Sequence, residues 1–234
     1  MNSLIAAAAA FLAIHILVSG TRLRDAIVAR TGEGPYLGLF SLASLGVIVW
    51  LCVAYNSAQT GGDPVFYDLG HVRDLGIPVV LIAFWLGIQG LLMPNPTSLR
   101  QEAAAEKAGT IRGVLRITRH PFLWGVALWS GFHLAANGDE ASSILFGTFF
   151  VTAILGTFAI DAKRRRKMGD KWKAFAEKTS NIPFAAVLSG RNALNLSESF
   201  GWRGWLAILI FAAVLFAHAH VFGASPFPGG AVPI

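Results

Sequence analysis

Charged residues are scarce in this sequence: they make up 14% of 234 residues, against 54% hydrophobic. A soluble globular domain carries about 25% charge, so this chain has too little polar material to face water all round. Cysteine is nearly absent as well. The lone Cys52 excludes an intrachain disulfide and any cysteine-built zinc or iron–sulfur centre. Its place in an apolar run predicts a small, buried side chain. A basic leader is missing too. The opening MNSLIAAAAAFLAIHILVSG has no Lys or Arg, unlike the n-region of a secretory signal, and reads as a retained first span. No internal repeat is visible, and the short alanine run is the only low-complexity tract.

What is present is long uncharged runs and a mean hydropathy of +0.57. Runs able to cross about 30 Å of hydrocarbon fall at roughly 3–20, 36–55, 76–94, 120–136, 141–160 and 204–223. The expected fold is therefore all-α, an integral membrane bundle of six transmembrane helices forming one domain over 1–234. The fourth run is the shortest. Only NGDE (137–140) separates it from the fifth, which predicts a tight antiparallel hairpin.

Eighteen of the nineteen lysines and arginines lie in the 1–2, 3–4 and 5–6 connections; Arg73 alone lies in the other set. By the positive-inside rule those connections are cytoplasmic and both termini are outside. The pI near 9.9 therefore does not point to nucleic acid. KRRRK (163–167) reads as a topology anchor facing anionic headgroups, and the lipid bilayer is the expected partner. The mixed, aromatic DKWKAFAEKTSNIPFAAVLSGR (170–191) predicts a cytoplasmic interfacial helix before the last span, then a turn at Pro183.

Of six histidines, His71 falls in a polar loop, where solvation or packing is expected, and five fall in or beside spans. Ionisable groups there are rare and tend to mark function. His120 and His133 are thirteen residues apart, which on one helix is about 19.5 Å along the axis and about 140° around it. They cannot serve one ion from one face. His120, after Arg119 and before a helix-starting proline, suits either an anion grip or interfacial capping. His133 has Asn137 one turn on, placed to fix a ring tautomer or to cap the helix. His15 lies in another uncharged span with Arg22 on nearly the same face. Two neutral imidazoles from two spans suit haem iron better than a hard cation; ordinary packing is the alternative for each. Gly20, Gly125 and Gly131 would allow close approach, with Arg22 and Arg119 meeting propionates. The unequal depths of His15 and His133 would require a tilted macrocycle. His218 and His220 point about 200° apart, so at most one faces a common site.

HILVSGTRLRD (15–25), RITRHPFLWG (116–125), FHLAANGD (132–139) and TSNIPFAAVLSGR (179–191) resemble the NnrU family. These are multispanning bacterial membrane proteins associated with denitrification and nitric oxide metabolism, related to the plastid 15-cis-zeta-carotene isomerase. The resemblance implies haem b held by His15 and His133, with His120 a neighbour of the site. It also implies a bacterial inner membrane with periplasmic termini, and redox or cis–trans isomerase chemistry on a lipophilic small molecule. An electron donor docking on the cytoplasmic basic face fits that picture. A non-catalytic haem sensor or electron carrier is the alternative within it. A weaker likeness is to the isoprenylcysteine and phospholipid methyltransferases. There Arg-His-Pro, Asp161 and Gly169 imply S-adenosylmethionine binding at His120, but Trp172 and Phe175 stand where a tyrosine pair is usual.

Overall fold

The computed structural model describes residues 1–59, 64–107 and 109–227, with the His71 side chain left undescribed. Nine helices follow one another in these residues. They are α1 (Asn2–Leu12, continued by a π turn over Ala13–Val18), α2 (Arg22–Thr31), α3 (Glu33–Gln59), α4 (Gly76–Leu92), α5 (Pro121–Ala136), α6 (Glu140–Met168), α7 (Asp170–Glu177), α8 (Ala185–Leu188) and α9 (Trp202–Phe222). Short 3-10 turns join them. Among the described residues no strand forms, and one isolated bridge ties Val65 to Asp139.

The all-α expectation holds, but the span count does not reduce cleanly to six. Among the described residues four helices are long and apolar enough to cross a membrane: Glu33–Gln59, Val72–Leu92, Glu140–Met168 and Trp202–Phe222. Asn2–Val18 and Arg22–Thr31 form a pair bent by 77° that raises the count to five. The expected fourth crossing, α5, has only 16 residues, about 24 Å at 1.5 Å per residue. The bend after Val18 follows from a cap: Thr21 adopts extended backbone and accepts the Leu23 N–H (3.2 Å), starting a new helix. The KRRRK cluster lies on the helical extension of α6, not in a loop.

Outward faces of the long helices are apolar. Leu39, Leu42, Leu45, Val49 and Val53 are all more than half exposed along α3, which suits lipid contact. Cys52 belongs to that outward surface, contrary to the expectation of burial; an apolar run in a membrane helix does not distinguish lipid-facing from core-facing positions.

Inside, α4 packs on α5 and α9, α5 on α6, and α1 on α3 and α6. Small residues set the closest approach. A Cβ on Gly125 would lie 2.6 Å from the Ala83 carbonyl oxygen and 2.9 Å from Gly87 Cα. The expected hairpin between the fourth and fifth runs is present and joins α5 to α6. Asn137 caps α5 by donating to the His133 carbonyl (2.8 Å), and Asp139 accepts the Ser142 N–H (2.8 Å) to start α6. The expected helix before the last span is α7, with Trp172 and Phe175 buried.

At the end that carries the basic connections, Glu102 pairs with Arg164 and with Lys167 (2.9 Å). Partial burial alone would raise the Glu102 carboxyl, but Lys167 and Arg164 outweigh it and hold it at about 2, below its usual 4.5. A depressed carboxylate contributes stability that is present above 4.5 and lost as pH falls toward 2. Thermal melts in detergent across that window are expected to drop for the parent protein and to flatten in Glu102→Gln.

Candidate functional site

Two polar features lie within the bundle. The first is built where the chain enters α5. Thr118 and Arg119 lie beside the 179–184 segment: the Arg119 N–H donates to the Ser180 carbonyl (2.9 Å), Phe184 N–H to Ile117 (2.8 Å), and Thr118 Oγ1 to Asn181 (2.6 Å). Trp124 Nε1 donates to the same Asn181 carbonyl (2.8 Å). Pro121 then starts the helix, where its missing N–H costs nothing.

This frame aims Arg119 and His120 at Asp161 of α6. Arg119 Nε reaches both carboxylate oxygens (2.9 and 3.1 Å), and Nη2 also donates to Oδ2. His120 Nε2 is 2.7 Å from Oδ1, and Asn181 Nδ2 donates to Oδ2 (3.2 Å). The Arg119 guanidinium also lies over the Trp172 ring at 5.6 Å. An ionised carboxylate only accepts, so His120 Nε2 carries its hydrogen. His120 is 2% exposed, and its Nδ1 has no partner among the described residues. The anion met by this Arg-His pair is thus the chain's own Asp161. Arg119 is committed to it.

The second feature is the set of intramembrane imidazoles. His15 sits in the π turn that ends α1, a local widening often found at functional sites. Its Nδ1 donates to the Phe11 carbonyl (2.9 Å), which leaves Nε2 as an acceptor, 3.3 Å from Ser44 Oγ. Phe11 stacks on it at 4.1 Å, and Phe40 meets it edge-on at 5.4 Å. His133 is held alike: Nδ1 donates to the Trp129 carbonyl (2.8 Å), so Nε2 keeps its lone pair. The tautomer is therefore fixed by Trp129, while Asn137 caps the helix. The ring neighbours of His133 are Trp129, Phe132, Phe146 and, at 6.5 Å, His218. From His15 to His133 the ring contacts run through Phe11, Phe149 and Trp129. Arg22 is exposed at the start of α2. Gly125 serves the α4–α5 crossing, and a Cβ on Gly131 would meet the Phe150 ring at 3.2 Å.

A family model described as NnrU protein matches residues 3–226. The chain belongs to the NnrU family. It is similar to the chloroplastic 15-cis-zeta-carotene isomerase of Arabidopsis thaliana, 27% identical over 213 residues, which is 87% of this chain and 56% of the relative. It is also similar to the Zea mays enzyme of that name, 25% identical over 204 residues, 84% of this chain and 54% of the relative. The chain spans about half the length of these curated relatives. No solved structure matches.

Within this NnrU-family chain, two members of the polar features carried little sequence signal. Asn181 falls in the stretch expected as an interfacial helix before the turn at Pro183, and its role depends on the 179–184 segment folding back onto Thr118. His218 is set apart from His220 by its ring contact with His133, while His220 is exposed.

Proposed function

We propose that this NnrU-family chain is a membrane-embedded cis–trans isomerase of a lipophilic polyene, binding haem b through His133 and a second intramembrane imidazole. The observation that carries this reading is the likeness to two 15-cis-zeta-carotene isomerases over more than four-fifths of the chain. Rotation about a double bond moves no atom between molecules, so the reaction needs no acid–base dyad. When bound, haem supplies a transient electron or a Lewis-acid contact to the double-bond system.

The donor chemistry fits such a group. Two neutral imidazoles, His15 and His133, each with Nδ1 pinned to a main-chain carbonyl, keep an Nε2 lone pair of the kind that would suit soft or borderline iron. His15 is the second ligand that the family pattern implies. The chain's own part is to orient and to exclude water: Trp129, Phe132 and Phe146 wall the His133 ring in apolar surface. A polyene reaches that region from the bilayer, and no aqueous channel is required.

In this reading α5 is the fourth of six crossings, the basic connections face the cytoplasm, and both termini lie in the periplasm of a bacterial inner membrane. Arg165, Arg166 and Lys167, exposed on α6, then offer basic side chains to an acidic electron donor. A methyltransferase role is supported less, because the His120 side chain is buried with Nε2 given to Asp161.

Protein expressed with ample haem and purified in detergent is expected to show a Soret band at about one haem per chain, with the band lost in His133→Ala. A wild-type protein without that band removes the haem part of the proposal.

A further inference from the structure

We propose that the cleft between α6, α7 and the 179–191 segment binds the phosphate of an anionic phospholipid from the adjoining leaflet, gripped by Arg165 and Arg191. The site lies beside the Arg119–Asp161 network and is independent of the haem and polyene readings.

The cleft has a volume of about 550 Å³, within the range of small-molecule sites, roughly 300–1,000 Å³. One stripe of α6 forms a wall of it: Phe158, Asp161, Ala162 and Arg165, spaced i, i+3, i+4 and i+7 and therefore on one helix face. Along the helix axis this stripe is graded. Phe158 lies about 4.5 Å nearer the apolar middle of α6 than Asp161, and Arg165 lies about 6 Å beyond Asp161. Ile182 adds a second apolar side chain to the lining, and like Phe158 it is more than half exposed. Apolar surface that gives way to guanidinium groups is what an amphiphile seated at the interface would meet.

Charge decides which amphiphile. Arg119 is neutralised by Asp161, whose oxygens are also met by His120 and Asn181. Arg165 is exposed, and its side chain has no hydrogen bond or ion pair among the described residues. Arg191 is held in place but not balanced. Its Nη1 donates to the Ala176, Glu177 and Thr179 carbonyls (3.3, 2.9 and 3.0 Å) and its Nε to Ser189 Oγ (2.9 Å). All four acceptors are neutral. The lining therefore keeps two positive charges with no carboxylate to meet them. Guanidinium forks match phosphate oxygens in pairs, and anionic headgroups gather at basic membrane surfaces. A free phosphate ion would satisfy the same arginines yet leave Phe158 and Ile182 uncovered; a phospholipid covers both. The adjoining cleft along α7 has Asp170 and Glu177 in its walls, which disfavour an anion there.

Native mass spectrometry of the full-length protein, stripped of lipid in detergent and titrated with phosphatidylglycerol, tests the site. Wild-type protein is expected to hold one phosphatidylglycerol more tightly than phosphatidylcholine with the same chains, and inorganic phosphate should not displace it. Arg165 carries the test because Arg191 also holds the end of α7. Arg165→Gln should weaken binding about tenfold, the loss of one charge-assisted contact, and Arg165→Lys should keep most of it. Arg166→Gln, which removes an exposed charge outside the cleft, should leave binding unchanged. Equal losses from Arg165→Gln and Arg166→Gln would reveal a diffuse basic surface and overturn the site. Displacement by inorganic phosphate would assign a free anion in place of a lipid, and equal retention of the two lipids would overturn the role given to charge.

Discussion

Replacing Asp161 with alanine is expected to cost about 3–5 kcal/mol, the range for breaking a buried ion pair by removing one partner. The side chains of Asp161, Arg119 and His120 are 10%, 12% and 1% exposed, so the guanidinium could not simply turn to water. Asn181 Nδ2 and His120 Nε2 would lose their acceptor at the same time, and an unmet buried donor is expensive. At roughly 2–4 °C per kcal/mol for a chain of this size, the melting temperature in detergent should fall on the order of 10 °C. Arg165→Ala, at an exposed neighbouring position, should change stability by no more than about 0.5 kcal/mol. The combined Arg119→Met, Asp161→Leu variant should recover part of the loss, because no charge is then left without its partner. A melting curve for Asp161→Ala superimposable on the parent would show that the network does not hold the entry to α5.

Gly125→Val is the second change expected to have a large effect. The α4–α5 contact is made backbone to backbone, and the obstacles to a Cβ at this position are the Ala83 carbonyl oxygen (2.6 Å) and Gly87 Cα and N (2.9 Å each). Neither is a flexible side-chain end, so the helices must separate. The neighbouring contact offers no relief, since a Cβ on Gly90 would meet Phe122 N at 2.6 Å. Overpacking of a tight core costs roughly 1–3 kcal/mol and sometimes more. Here the displacement propagates along α5 to the Trp129–His133 turn, so loss of folded yield and of bound haem should go together. Gly87→Ala, where a Cβ meets nothing within 4 Å, is the matched control and should fold.

Much of this architecture was legible from the residues, and the parts that were not have physical reasons. Uncharged runs marked the long helices, and NGDE marked the α5–α6 hairpin, because the first polar residues after an apolar run must reach water. Span counting weakened at the first and fourth runs for opposite reasons. Thr21 starts a new helix at an angle that hydropathy does not encode, and α5 is preceded by the non-helical Thr118–Arg119 lead-in rather than by more helix. Cys52 was misplaced because lipid-facing and protein-facing positions are equally apolar. Arg119 and His120 were recognisable as a charged constellation. Their partner Asp161, in α6, was singled out beside them only through the methyltransferase likeness, and only the fold-back of 179–184 brings Asn181 to it. The ring contact of His218 with His133 and the bond from its Nδ1 to the Ala224 carbonyl after Gly223 are likewise not revealed by spacing.

The claim of polyene isomerisation is tested most directly by isomer composition. Haem-loaded protein reconstituted into liposomes containing 15-cis-zeta-carotene, sampled over time and resolved by chromatography, should convert the cis isomer to the trans isomer at a rate proportional to protein. His133→Ala should reduce that rate to the protein-free background. Conversion no faster than in empty liposomes, from wild-type protein carrying its haem in either oxidation state, would contradict the account.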